Sequence, residues 1–219
     1  MFRRTLLFLV PALASGLLGV GCQTAYYNTL ERFGVYKRDV LADRIEKAAT
    51  SQAEAKEQIL TTLAAFQAVT GFEGGDLAEA YERLNDEYER SVRAAREVSS
   101  RIESVESVSE ALFEEWGEEV KEISDVSLRR RSEDLRRDSL RRYDDLIATM
   151  HSAEAKLAPV LTAFNDRVLL LKHNLNAEAI RSLDEDYPEI EARVEDLIAD
   201  MQKAIDEADA YLKSLETPE

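Results

Sequence analysis

Cysteine is almost missing from this chain of 219 residues: Cys22 is the only one, so no intramolecular disulfide can staple the fold. Histidine is nearly as scarce, with His151 and His173 alone. The paired Glu-x-x-His sets that build di-iron centres in helical bundles are therefore absent; "HSAE" at 151–154 has the spacing reversed and no second copy. Glycine and proline are sparse. Between residues 34 and 215 there are only Gly34, Gly71, Gly74, Gly75, Gly117, Pro159 and Pro188. The one glycine-rich turn, "GFEGGD" at 71–76, lacks the lysine a phosphate-binding loop requires. Positive charge is also short. The formal net charge is −16, which disfavours nucleic acid and broad docking on anionic lipid and favours solubility. No convergent polar constellation of the kind an enzyme needs is visible, so we expect no catalytic residue, no metal and no cofactor.

What is present first is an address. Arg3 and Arg4 precede an uncharged stretch, Thr5 to Gly21, rich in Leu, Val, Ala and Gly. With 17 residues, Pro11 and three glycines it is a poor permanent span and reads as a secretory signal. The residues before Cys22 resemble a bacterial lipoprotein signal, cut ahead of a cysteine that takes diacylglycerol, although Gly19 fills a position usually held by leucine. A cut after Ala14 is the alternative, and it would leave "GLLGV" exposed at a free terminus. Several acyl chains together anchor stably, whereas one is marginal. Gln23 stands where an inner-membrane retention signal carries aspartate, so the resemblance implies an outer-membrane lipoprotein facing the periplasm. Residues 1–21 are then signal, 22–34 a lipidated segment, and the remaining chain has a net charge of −18 after loss of two arginines.

The rest is helical by period. Leu77, Tyr81, Leu84, Tyr88, Ser91, Ala95, Val98, Ile102, Val105, Ser109, Leu112 and Trp116 alternate steps of four and three, a heptad seam. Ile45, Ala48, Gln52, Ala55, Ile59, Thr62, Phe66 and Val69 keep the same rhythm before it. Leu128, Ser132, Leu135, Ser139, Leu146, Ala153, Leu157, Val160, Phe164, Val168 and Leu171 follow, then Ile190 to Leu215. The fold expected is all-α: an elongated, antiparallel, up-down-up-down four-helix coiled-coil bundle over residues 35–217. Its helices should span about 35–70, 77–123, 128–172 and 177–215, with a break near 187 where Pro188 restarts the last one. Pro159 should kink the third.

The joints carry their own signals. The glycines of 71–76 can take positive φ, and Asp76 with Glu79 reads as a cap. "SDVS" at 124–127 and Asn176 offer further caps, and His173 can bind the last carbonyls of its helix. Turning the chain back at 73–74 sets Phe66 near Tyr81, and Gln52 and Ala55 against Ala95 and Ser91. Turning it back at 125–126 sets Glu110, Glu114, Glu115 and Glu122 beside Arg129, Arg136, Arg137 and Arg141, so ion pairs are expected to flank that hairpin. These pairs would absorb "RRRSEDLRRDSLRR" (129–142), whose seven arginines against three acids otherwise suggest phosphate or lipid headgroups.

"YYNTLERFGVYKRDVL" (26–41), "TGFEGGDL" (70–77), "LNDEYERS" (84–91) and "LLLKHNLNAEAIRSL" (169–183) resemble the bacterial family catalogued as domain of unknown function 2959. That resemblance covers nearly all of the chain after the signal. It implies a small lipoprotein-like envelope protein of Gram-negative bacteria and supplies no activity and no catalytic residues.

The expected role is thus structural: a non-enzymatic, lipid-anchored spacer or adaptor whose only membrane contact is the lipid on Cys22. In such a rod the 71–76 and 173–176 joints share the end remote from the lipid. Loops on rigid scaffolds carry recognition, which makes Phe72, Glu73, Lys172, His173 and Asn174 the candidate tip for a periplasmic protein partner. The alternative is a bundle that splays to hold a lipid or other apolar ligand. Heptads leave open whether the chain is a monomer or a homodimer.

Overall fold

A computed structural model describes residues 36–71 and 77–216. Four helices make up this part: α1 (Lys37–Thr70), α2 (Leu77–Glu122), α3 (Val126–His173) and α4 (Ala177–Glu216). They are unequal, with 34, 46, 48 and 40 residues respectively, so α3 is a rod of about 70 Å. Each helix packs on its chain neighbours, and α4 closes the ring on α1. The result is the up-down-up-down bundle that the heptads predict.

All eight seam residues named for α1, from Ile45 to Val69, are buried. Their neighbours fix the register. The hydroxyls of Thr62 and Ser91 lie 2.8 Å apart, and the Gln58 amide donates to the Glu87 carboxylate at 2.8 Å. Between α3 and α4, Lys156 meets Asp196 at 2.7 Å and Asp200 at 2.8 Å. Lys56 donates to Gln202 across α1 and α4 at 2.9 Å.

The core is zoned along its length. At one end Phe66 meets Phe164 edge-on, with centroids 6.4 Å apart, and stacks on Tyr187 at 5.9 Å. At the other, Phe113 stacks on Trp116 and lies 5.8 Å from Tyr143. Between them, small residues such as Ala48, Ala55, Ala95, Ala153 and Ala204 fill the interior. Gln52 sits in this zone fully buried, its amide nitrogen and oxygen both without a hydrogen-bond partner. On α2 the seam drifts by one position, so that Phe113 is buried where the heptad favours Leu112, which is only half-buried. A strict seven-residue repeat slips against 3.6 residues per turn, and the larger ring takes the core site.

Two expectations are corrected. The break near 187 is absent, and α4 runs through Pro188. Proline removes one backbone donor but does not end a helix held from both sides, and here Leu183, Ile190 and the stacked Tyr187 are packed around it. Helix α3 carries Pro159 within its span. Gly71 ends α1 at φ −83°, in a right-handed conformation, with its N–H on the Gln67 carbonyl at 2.9 Å. Gly74, Gly75 and Asp76 lie outside the described residues.

Candidate functional site

The rod presents two ends, and each is built by a helical joint. At the first, α3 hands over to α4 through Asn174, Leu175 and Asn176. Asn176 caps α4: its side-chain oxygen accepts from the N–H groups of Glu178 and Ala179 at 3.1 and 3.0 Å. The end of α3 is closed by Asn174, whose amide donates to the Leu170 carbonyl at 3.1 Å and whose backbone N–H reaches Leu171. Asn174, rather than His173, therefore takes these last carbonyls, because its short amide folds directly back over the final turn. Lys172 and His173 are exposed. Phe72 and Glu73 lie outside the described residues.

Sequence reasoning missed the apolar part of this end. Leu169, Leu170 and Leu175 are large, exposed hydrophobic side chains, while Leu171 is fully buried. The signal was available. Consecutive residues point about 100° apart around a helix, so "LLL" cannot place three leucines on one seam. Two had to face outward.

The second end is the α2–α3 joint. Asp125 caps α3, accepting from the N–H groups of Ser127 and Leu128 at 2.8 and 3.0 Å and from the Ser127 hydroxyl at 2.7 Å. These bonds hold its carboxyl below the ordinary carboxylate range, the Ser127 hydroxyl contributing most. Lys37, in the first turn of α1, is buried and meets Glu115 at 2.7 Å, while Arg38 donates to the Leu215 carbonyl. The start of α1 and the end of α4 are therefore level with Glu115. Past that level α2 and α3 run on as a two-helix finger, joined internally by the Trp116 indole donating to Ser132 at 3.0 Å.

The arginines of this finger depart from expectation. No ion pair links Glu110, Glu114, Glu115 or Glu122 to Arg129, Arg136, Arg137 or Arg141 among the described residues. Arg137 meets Asp134 at 2.9 Å and Arg141 meets Asp138, both within α3, and Glu115 is taken by Lys37. Arg136 lies along Gly117 and reaches the Phe113 carbonyl. Partners three residues away on the same helix need no alignment between two helices, so they win. The seam also fails here: Leu128 and Leu135 are exposed, because α1 and α4 end before they can cover them.

Elsewhere on the rod, two open grooves of about 360 and 480 Å³ run between helices, one beside Asp43, Glu46, Glu97 and Arg101, the other beside Pro159, Asp166, Arg167 and Arg193. Their charged borders offer an apolar ligand no enclosed wall. His151 bridges α3 to α2, with Nε2 2.9 Å from Glu106 and Nδ1 2.9 Å from Glu154. No group of three His, Cys, Asp or Glu side chains is placed to hold a metal among the described residues, and no described helix is long and apolar enough to cross a membrane.

A family model, described as protein of unknown function (DUF2959), matches residues 26–215. The chain belongs to this family. No curated protein and no solved structure matches it. For a DUF2959 member the match takes in all four helices, so both ends of the rod, the leucines and the finger alike, fall inside the family region. Cys22 and Gln23 precede it and lie outside the described residues.

Proposed function

We propose that this DUF2959 protein is a lipid-anchored helical spacer of the bacterial outer membrane, tethered through Cys22, facing the periplasm and acting without catalysis as an adaptor. The observation that carries this reading is the polarity of the rod. The N-terminal segment bearing Cys22 joins α1 at Lys37, at the finger end, whereas Leu169, Leu170 and Leu175 are exposed at the opposite end. Exposed leucines beside Lys172 and His173, on a joint remote from the tether, support a partner contact there, since loops on rigid scaffolds carry recognition. The small-residue middle of the core also suits a narrow strut better than a cavity.

Two measurements test the reading. The mass of the N-terminal peptide from the membrane fraction is expected to show acyl chains on Cys22, and Cys22→Ala is expected to release the protein into the periplasm. A photocrosslinker at Leu170 is expected to capture one discrete partner in cells, while one at Glu103, midway along α2, captures none. An unmodified Cys22 defeats the tether, and identical products from both positions defeat the adaptor.

A further inference from the structure

The finger is a length of bundle with half its helices missing. Leu128 and Leu135 are exposed at 58% and 44%, and, seven residues apart, they continue the α3 seam beyond the point where α1 and α4 cover it. Trp116 and Ile123 on the same finger are only half-buried. Such an uncovered seam lacks one apolar stripe to lie against it.

The chain carries a stripe of that kind immediately ahead of α1. In "YYNTLERFGV" (26–35), outside the described residues, Tyr26, Leu30 and Phe33 follow one another in steps of four and three, the spacing that puts side chains on one helical face. The stretch enters α1 through Tyr36, whose backbone is extended at φ −81° and ψ 147°. Lys37 follows, and its bond to Glu115 sets this entry at the root of the finger. The family match also starts at Tyr26, the first residue of the stripe.

We infer that residues 26–33 dock as a strap on the α2–α3 finger, with Tyr26, Leu30 and Phe33 over Leu128 and Leu135. Attachment selects this occupant: Phe33 is four residues from Lys37, so the finger meets the stripe at roughly millimolar effective concentration. Size agrees, since Tyr26 to Phe33 and Leu128 to Leu135 are both seven residues, about 10 Å of helix. Charge decides against a second copy. The finger past Glu115, residues 116–135, holds six acids and four bases, so two fingers would meet with like net charge; residues 26–35 hold one acid and one base and are not repelled. The docking needs only this chain, and its consequence rests on the tethered reading. Gln23, Thr24 and Ala25 alone then separate Cys22 from the strap, at most about 14 Å. Without the strap, the leash from Cys22 to Lys37 reaches up to about 50 Å. A strapped rod stands on its finger end instead of swinging from the lipid.

The test is a photocrosslinker at Leu128 in the purified full-length protein, once with Cys22 and once as Cys22→Ala. Expected in both is a single-chain product joining position 128 to a peptide within 23–35. Leu30→Asp with Phe33→Asp should lower its yield about tenfold or more, as loss of two apolar contacts does. Leu135→Ser, at an exposed site where folding is not at stake, should lower it with the strap sequence intact. A product of twice the chain mass overturns the inference in favour of a second copy. Capture of lipid or detergent alone overturns it as well, and so does a yield that the double variant leaves unchanged. The same crosslink in a protein whose Cys22 bears no acyl chain supports the strap while defeating the tether.

Discussion

The two ends of the rod are made from the same local device, a capped turn between antiparallel helices, yet they present opposite surfaces. Beside Asn176 the exposed groups are leucines with Lys172 and His173; beside Asp125 they are Val126 and Leu128 with charged groups of both signs, Glu122, Arg130, Arg131 and Glu133. Behind them the cores differ too. Phe66 is fully buried against Phe164 and Tyr187, whereas Phe113 and Tyr143 each keep 7% exposure and the neighbouring Trp116 indole reaches Ser132. All four helices flank the first cluster, while the second lies where α1 and α4 are ending. One end is braced on every side and the other is left open, so stability belongs mainly to the first and surface chemistry to the second.

The sharpest way to break that comparison is to empty both clusters. Phe66→Ala is expected to cost about 3–5 kcal/mol, as fully buried rings do. Phe113→Ala, in the less enclosed cluster, should cost less than about 3 kcal/mol. Urea unfolding followed by circular dichroism measures both. Equal losses would mean that the finger end is as closed as the other.

The middle offers a change of the opposite sign. Gln52 is fully buried with neither amide atom bonded, a desolvation cost of about 1–3 kcal/mol that an apolar residue of similar size does not carry. Gln52→Leu is expected to stabilise the protein by about 1–2 kcal/mol, raising Tm by roughly 2–8 °C. The register is held by the Thr62–Ser91 and Gln58–Glu87 pairs, so it should be unchanged. Thermal unfolding reads the gain. A fall in Tm would show that the amide is satisfied in solution.

At the leucine end, Asn176→Ala removes both cap bonds and should cost about 1 kcal/mol. Exchange should accelerate over 174–182 and remain unchanged at 120–135. If the finger responds as well, the two ends are coupled through the shaft, and their description as separate surfaces fails.

How far these surfaces were legible in the sequence depends on how local their causes are. Helix number, order, antiparallel course and most of the seam follow from period, because burial of a heptad stripe is dictated residue by residue. The caps at Asp125 and Asn176 follow from side chains bonding two and three positions ahead. Pro188 was misleading, since its cost is local while the packing of Leu183, Tyr187 and Ile190 that overrides it is tertiary. The arginines misled for the reverse reason: a pairing across two helices was anticipated where partners three residues away on α3 were nearer. Exposure of Leu128 and Leu135 could not be read at all from their own helix. It depends on where α1 and α4 stop, a comparison of lengths among four helices once their register is set. The leucine triplet, by contrast, could have been read from angular spacing alone.

The smallest expected effect lies between the ends. His151 joins Glu106 of α2 to Glu154 of its own helix, and the hydrogen bond to Glu106, more than that to Glu154, raises its pKa above the ordinary imidazole value despite some loss of solvation. A raised folded-state pKa means that the protonated ring is favoured by folding. The stabilisation is therefore complete below about pH 6.5, the value of a free imidazole, and disappears as pH rises through the higher folded value. Because all three groups remain partly exposed, the contribution should stay under about 1 kcal/mol. His151→Gln is expected to be less stable than the parent at pH 5.5, where the glutamates are still ionised, and equal to it at pH 8.5. A gap of the same size at both values would assign the ring a neutral hydrogen-bonding role between α2 and α3.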